Sequence, residues 1–143
     1  MRIKKKILIM GLSGSGKTTL GKELAPHLNA TILNADQIRK KYNNFDFSFS
    51  GRLKQANTMR ELADLEIKNG NNVIADFICP KPEFRKIFNA NYIIWVNTIT
   101  KSKYEDTNKF FENPSKEEYD FLIKKKDAKF FVNLILKDLI KSK

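Results

Sequence analysis

A glycine-rich stretch near the start of the chain, GLSGSGKTT at residues 11–19, combines residue types and spacing that suit phosphate binding. Its glycines let the backbone curl so that successive N–H groups point at one anion. Lys17 adds a cation that can reach the β- and γ-phosphates of a nucleotide, and Thr18 adds a hydroxyl that can hold Mg²⁺. The chemistry indicated is the binding of a nucleoside triphosphate together with its metal ion.

The spacing G-x-x-x-x-G-K-T, which runs from Gly11 to Thr18, is the P-loop motif. The motif is informative when it lies between a strand and a helix, and the apolar run ILIM directly precedes it. We therefore predict that the loop binds a nucleoside triphosphate with Mg²⁺, and the choice of a kinase below makes this nucleotide ATP. The predicted ATP-binding residues are Gly11, Ser13, Gly14, Ser15, Gly16, Lys17, Thr18 and Thr19.

Two aspartates follow predicted strands and are candidates for proton transfer and metal binding. Asp36 lies just past ATIL, where a carboxylate can accept the proton of a substrate hydroxyl or order Mg²⁺-bound water, or can cap a helix. Asp76 lies near the end of NVIADFI, which suits water-mediated Mg²⁺ contact, or an edge or capping role. We predict Lys17 and Asp36 as catalytic residues, and Thr18, Asp36 and Asp76 as metal-binding residues.

Arginine is rare in this chain, since only five of the 27 basic residues are arginines. Where it does occur, its planar bidentate group is of special interest. Arg39 follows one helical turn after the first aspartate, and Arg52 begins a long predicted helix, so each can bind a phosphate or sulfate. Phe47 offers a ring face to an adenine base, while Phe45 and Phe49 are equally well explained as core aromatics.

The elements that must hold these residues alternate along the chain. Apolar runs predict strands at 5–10, 30–33, 72–78, 92–98 and 119–123. Helices are predicted from Lys17 with weakening at Pro26, from Asp36, over 52–69, and from Asp127 onwards. This alternation predicts an α/β fold of three layers, in which a parallel sheet of about five strands is covered by helices on both faces.

Length and composition set the broad class. With 143 residues and 41% hydrophobic residues, the chain is expected to form a single domain over residues 1–143. One cysteine, Cys79, excludes an internal disulfide, and no apolar run is long enough for a membrane span, so we expect a cytoplasmic protein without a membrane partner. The net charge of +11 leaves nucleic acid open as a partner but does not favour it, because the lysines are spread along the chain. A homodimer is also left open.

Two classes of P-loop protein have to be distinguished for this sequence, a switch GTPase and a small-molecule kinase. A switch GTPase needs D-x-x-G and N-K-x-D motifs, and neither is present, since TNKF at 107–110 lacks the aspartate. ATP-driven machines need arginine fingers and further domains, for which 143 residues leave little room. A kinase that transfers the ATP γ-phosphate to a small-molecule acceptor is favoured.

An ordered set of motifs resembles adenylylsulfate kinase over residues 5 to about 98. The family pattern G-L-S-G-x-G-K-[ST]-T, then D-G-D-x-x-R, F-S-x-x-x-R and F-I-S-P, is similar to GLSGSGKTT, NADQIR, FSFSGR and FICP here. The resemblance implies a nucleoside-kinase-like P-loop NTPase fold and transfer of the γ-phosphate of ATP to the 3′-hydroxyl of adenylylsulfate. The acceptor-binding residues that it implies are Asp36, Arg39, Phe47, Arg52, Gln55, Ile78, Cys79 and Pro80.

The chain also departs from that family. Asn34 stands where the family has its first acidic residue, and Cys79 stands where it has serine. The lid motif R-D-x-K-G-L-Y aligns only loosely with YEDTNKFF at 104–111, inside a lid-like segment expected at about 99–117. Two alternatives therefore stay open: a kinase for another hydroxyl acceptor, such as a sugar acid, nucleoside or polynucleotide end, and a catalytically weak nucleotide-binding regulatory module.

Overall fold

A computed structural model describes residues 4–141 of the chain, so that Arg2 lies outside the described residues. Within the described part, five strands alternate with six helices. The strands are β1 (Lys6–Met10), β2 (Ala30–Asn34), β3 (Asn72–Asp76), β4 (Tyr92–Val96) and β5 (Phe121–Ile123). The helices are α1 (Lys17–Leu28), α2 (Ala35–Lys41), α3 (Phe49–Lys68), α4 (Pro82–Phe88), α5 (Glu105–Phe110) and α6 (Ala128–Lys141).

The five strands form one sheet in the order β2-β3-β1-β4-β5, and every pair in it is parallel. The register places Ile9 of β1 opposite Asp76 of β3, and Asn34 of β2 opposite the same aspartate. The carboxyl ends of β1, β2 and β3 therefore meet at one edge of the sheet, which is where ligands of open α/β sheets bind. The predicted parallel five-stranded sheet is confirmed.

The sheet separates two hydrophobic cores. The strand β1 is buried along its whole length and sends Ile7 and Ile9 to one core and Leu8 and Met10 to the other. Helices α1 and α6 cover the first core, and α2, α3 and α4 contribute to the second. The predicted last helix is confirmed as α6, and its buried residues lie on one side, in the first core. Those residues are Val132, Ile135 and Leu139.

Local signals explain where the long helices begin and end. Ser48 caps α3 by accepting a hydrogen bond from the Gly51 N–H, so this helix starts three residues earlier than the periodicity predicted. It ends at Lys68, one residue before the predicted end, and Gly70 follows the capping residue Asn69 with a left-handed φ of 86° and an N–H that donates to the Ile67 carbonyl. Helix α1 continues to Leu28, beyond the proline at which weakening was expected.

Two short helices were not predicted from the sequence. Helix α4 has seven residues and α5 has six, which is too short for hydrophobic periodicity to be detected. A proline at the first position of α4 was the one available signal, since Pro82 is suited to a helix start. None of the helices in the described residues has the length and apolar character required to cross a bilayer.

Candidate functional site

The loop between β1 and α1 requires glycine at defined positions. Gly11 has a φ of 147°, and a Cβ atom there would lie 2.4 Å from the Val96 carbonyl oxygen. Gly14 and Gly16 have left-handed φ values of 83° and 107°, which other residues rarely adopt. The loop predicted from the sequence thus has a curled backbone that ends directly at the N-terminus of α1.

Lys17 is the first residue of α1, and its side chain is folded back over the loop. The ammonium Nζ donates a hydrogen bond of 3.0 Å to the Leu12 carbonyl, and the residue is buried. Burial lowers the pKa of Lys17, while the carboxylates of Asp76 and Asp36 act in the opposite direction. The site therefore holds a shielded cation between the loop and two carboxylates, an arrangement that suits a polyphosphate ligand.

Asp76 at the end of β3 is a buried carboxylate with two side-chain donors. The Thr18 hydroxyl donates to its Oδ2 at 2.6 Å, and the Asn34 amide donates to the same oxygen at 3.0 Å. Because β3 lies between β2 and β1, Asp76 is not on an edge strand of the sheet, and that alternative is wrong.

The donor set fits magnesium. A hydroxyl and one or two carboxylates, completed by phosphates and water, are typical ligands of Mg²⁺ in nucleotide sites. Among the described residues no group of three or more acidic, cysteine or histidine side chains forms a separate metal cluster. Thr18 and Asp76 are in hydrogen-bond contact, and Asp36, exposed in the first turn of α2, lines the same cavity. These three are the residues that could hold the metal ion.

A cavity of about 860 Å³ adjoins the loop and collects the predicted site residues. All eight predicted acceptor-binding residues line it, together with six of the predicted ATP-binding residues. Those six are Ser13, Gly14, Gly16, Lys17, Thr18 and Thr19. Gly11 and Ser15 belong to the same loop but do not line the cavity, since both residues are buried. Thr98 holds the loop in place, because its hydroxyl donates a 2.6 Å hydrogen bond to the Ser15 carbonyl.

The two predicted acceptor arginines lie side by side on the ring of Phe47. The guanidinium carbons of Arg39 and Arg52 are 4.3 and 5.6 Å from the ring centroid. Burial lowers the pKa of both, and the neighbouring Arg52 lowers that of Arg39 further. Phe47 is nevertheless 54% exposed. The exposed fraction of Phe45 is 58%, so its interpretation as a core residue is wrong.

Both arginines also hold the connection between α2 and α3. Arg39 Nη1 donates to the carbonyls of Asn44 and Asp46, and Arg52 Nε donates to that of Phe47 at 2.7 Å. These bonds orient the guanidinium groups at the cavity wall. Two cations kept close together against their mutual repulsion suit an anionic ligand.

Gln55 and Cys79 are buried at the wall of the cavity. The amide of Gln55 donates to the Ala35 carbonyl at 3.2 Å, which connects α3 to the start of α2. Cys79 is 1% exposed and has a left-handed φ of 48°. Burial raises the pKa of its thiol, which disfavours the thiolate form that a nucleophile needs. Arg85 holds the segment in place by donating from Nε to the Cys79 carbonyl.

The segment around α5 contributes cavity residues that the sequence analysis placed in a loosely aligned lid motif but did not predict as site residues. They are Tyr104, Glu105, Asp106 and Thr107. Arg52 Nη2 donates to the Thr107 hydroxyl at 3.0 Å, and its guanidinium lies 4.8 Å from the Phe110 ring centroid. One of the two predicted acceptor arginines is thus hydrogen-bonded to the segment that the sequence analysis expected to be lid-like. Lys126, between β5 and α6, also lines the cavity and was missed because it sits in a plain lysine run.

Three solved structures illustrate what the chain is similar to. An APS kinase from Mycobacterium tuberculosis in complex with AMPPNP and APS has a TM-score of 0.81 at 17% identity, covering 98% of this chain and 99% of that one. A gluconokinase from Sinorhizobium meliloti has a TM-score of 0.71 at 15% identity, covering 99% and 94%. A shikimate kinase from Acinetobacter baumannii in complex with shikimate has a TM-score of 0.69 at 16% identity, covering 98% and 95%.

These similarities extend over almost the whole length of each chain and show a common fold. No curated protein matches the sequence. A family model, AAA_33, described as an AAA domain, matches residues 7–90, which is more than half of the chain and includes the loop and both arginines. The chain therefore belongs to this AAA domain family and has the α/β fold of the P-loop kinases.

Proposed function

We propose that the protein is a single-domain, cytoplasmic P-loop kinase that transfers the γ-phosphate of Mg²⁺-ATP to the 3′-hydroxyl of adenylylsulfate. One observation carries the proposal. A single cavity is lined both by the loop with Lys17, Thr18 and Asp76 and by all of the predicted acceptor residues, which include Asp36 and Arg39. This arrangement suits two ligands that meet at the position of the loop cation.

In the proposed reaction, the acceptor oxygen forms a bond to the γ-phosphorus while the bond from that phosphorus to the bridging oxygen of ADP breaks. Asp36 accepts the proton that the hydroxyl loses, and ADP leaves with the bridging oxygen. Lys17 stabilises the negative charge on the transferred group, and the loop amides hold the β-phosphate. Thr18 and Asp76 are the residues that would hold Mg²⁺, which would supply positive charge to offset that of the nucleotide phosphates.

The acceptor side of the cavity supports an anionic substrate with an aromatic base. Arg39 and Arg52 supply two adjacent cations, and the exposed face of Phe47 can stack on adenine. The catalytic contribution of the protein is then mainly positioning and charge stabilisation.

A panel of acceptors assayed with ATP labelled at the γ-phosphate tests the proposal. We expect adenylylsulfate to become labelled with the highest kcat/KM of the panel, and AMP and 3′-deoxyadenosine analogues to be poor or unreactive. Labelling of another acceptor with adenylylsulfate inert would contradict the acceptor and leave the kinase assignment standing. The absence of any Mg²⁺-dependent transfer would favour a nucleotide-binding regulatory module instead.

A second acceptor class is favoured by the lid-like segment. Glu105 and Asp106 line the cavity, and Asp106 interacts electrostatically with Arg52. Two carboxylates reduce the attraction for a strongly anionic acceptor and can accept hydrogen bonds from hydroxyl groups. A sugar acid, which has one negative charge and several hydroxyls, fits this charge pattern, and the panel should therefore include gluconate and shikimate.

A further inference from the structure

Asn34, the last residue of β2, makes two side-chain hydrogen bonds in opposite directions. Its amide nitrogen donates to Asp76 Oδ2 at 3.0 Å, across the register pair that joins β2 to β3. Its amide oxygen accepts a 3.1 Å hydrogen bond from the Gln37 N–H and so caps α2. One side chain therefore connects the proposed metal-binding carboxylate to the helix that carries Asp36 and Arg39.

The amide also determines which oxygen of Asp76 is engaged. Thr18 and Asn34 both donate to Oδ2, and within residues 4–141 no other hydrogen bond to this carboxylate is seen. Asp76 is 3% exposed, and a buried carboxylate needs donors to offset its lost hydration. Oδ1 is consequently the oxygen left for a metal ion or for metal-bound water.

A carboxylate at position 34 would have the opposite effect. It would keep the helix cap, since aspartate caps as well as asparagine does, but it would lose the donor to Asp76. Two carboxylate oxygens would then stand where a hydrogen bond of 3.0 Å is now made, and like charges at that distance repel strongly. The amide at this position is therefore matched to the aspartate opposite it.

We propose that Asn34 is a positioning residue that orients the Asp76 carboxylate for Mg²⁺ and couples this metal side to the acceptor helix α2. The proposal rests on the proposed function, because it takes Mg²⁺-ATP as the ligand. Asn34 also lines the cavity, and in this role it acts through its hydrogen bond to Asp76.

The first test separates the two hydrogen bonds of Asn34. Serine caps helices as well as asparagine, but its hydroxyl is too short to hold Asp76 as well. For Asn34→Ser we expect the affinity for ATP in EDTA to stay within about twofold, and the enhancement of that affinity by Mg²⁺ to fall about tenfold. Calorimetric titration of ATP with and without Mg²⁺ measures both. If Mg²⁺ increased the affinity of the variant for ATP as much as that of wild type, Asn34 would act only as a helix cap and the proposal would be overturned.

The second test uses the metal alone. Asn34→Asp should lower the melting temperature in EDTA by roughly 3 °C or more, and millimolar Mg²⁺ without nucleotide should restore most of that loss. Asn71→Asp is the matched control, because the Asn71 amide donates to Glu66 Oε1 at the same distance of 3.0 Å on an exposed surface. Its melting temperature should not recover with Mg²⁺.

Two results would overturn the proposal. The first is a lowered melting temperature of Asn34→Asp that Mg²⁺ does not restore. The second is an equal increase of the melting temperature by Mg²⁺ in Asn71→Asp. Wild-type protein that binds no ATP would contradict the proposed function instead. The thermal measurement needs no nucleotide, so it would still decide the role of Asn34.

Discussion

At the scale of single residues, the catalytic role that we propose for Lys17 and the effect of its burial on stability act in opposite directions. Burial lowers the pKa of Lys17, since a charged group is disfavoured away from water, although Asp76 and Asp36 partly compensate. Because the folded-state pKa is below the unfolded-state pKa, charged Lys17 destabilises the fold at neutral pH. This destabilisation is complete below the folded-state pKa and disappears as pH rises to the unfolded-state value.

Lys17→Met should therefore keep the melting temperature or raise it at pH 7, with the difference from wild type shrinking at strongly alkaline pH. The same variant should lose at least about 3 kcal/mol of transition-state stabilisation, measured as kcat/KM in the phosphoryl-transfer assay. Lys22→Met, on an exposed position of the same helix, is the control and should change neither quantity. Normal turnover in Lys17→Met would contradict the proposed role.

The cysteine at the cavity wall is a second residue with a definite expectation. Cys79 is buried, and burial raises the pKa of its thiol, so the sulfur stays protonated and unreactive. Cys79→Ser should keep most of the kinase activity, and iodoacetamide should not inactivate the native protein at pH 7. Rapid inactivation of wild type, with Cys79→Ser resistant, would show that the thiol takes part in the reaction.

At the scale of elements, the connection between α2 and α3 is held by the same two arginines that we propose to bind the acceptor. Arg39 binds the Asn44 and Asp46 carbonyls, and Arg52 binds the Phe47 carbonyl and the Thr107 hydroxyl of α5. A lysine can replace the positive charge, but its ammonium group cannot replace the several N–H donors that the planar guanidinium holds in fixed directions. Substitution should therefore disturb the acceptor side of the cavity more than the loop side.

Arg39→Lys and Arg52→Lys should each raise the KM for the acceptor about tenfold or more, while the KM for ATP changes little. Arg60→Lys is the matched control, since Arg60 lies on α3 with a 37% exposed side chain and pairs with Glu61 and Asp64 away from the cavity. Parallel titrations of ATP and of the acceptor measure the two KM values for each variant. Equal losses for both substrates would place these arginines at the γ-phosphate.

At the scale of the whole molecule, the net charge of +11 raises the question of nucleic acid as a partner. For a small-molecule kinase we expect weak binding to single-stranded RNA or DNA that falls by roughly 10³-fold between about 50 and 200 mM salt. Fluorescence anisotropy with labelled oligonucleotides measures this dependence. Tight binding at physiological salt with a preference for one kind of end would indicate a polynucleotide acceptor.

Much of the fold was readable from local sequence patterns. The five apolar runs became the five strands, and the signal is strongest for the central strands β1, β3 and β4, because strands buried on both faces are continuous hydrophobic segments. The long helices followed from periodicity and from the glycine at position 70. The order of the strands and the helices α4 and α5 were not readable, because pairing is a long-range property and short helices leave no periodic signal.

The sequence alone determined the loop, since glycine spacing, Lys17 and Thr18 form a local motif whose geometry depends on adjacent residues. It also indicated Asp36 and the two arginines as candidates. Only the tertiary structure decided that Asn34, on one strand, supports Asp76 on the next, and that Arg52 reaches Thr107 in the lid-like segment. Those contacts join residues 42 and 55 positions apart, so they depend on strand register and helix packing rather than on any local pattern.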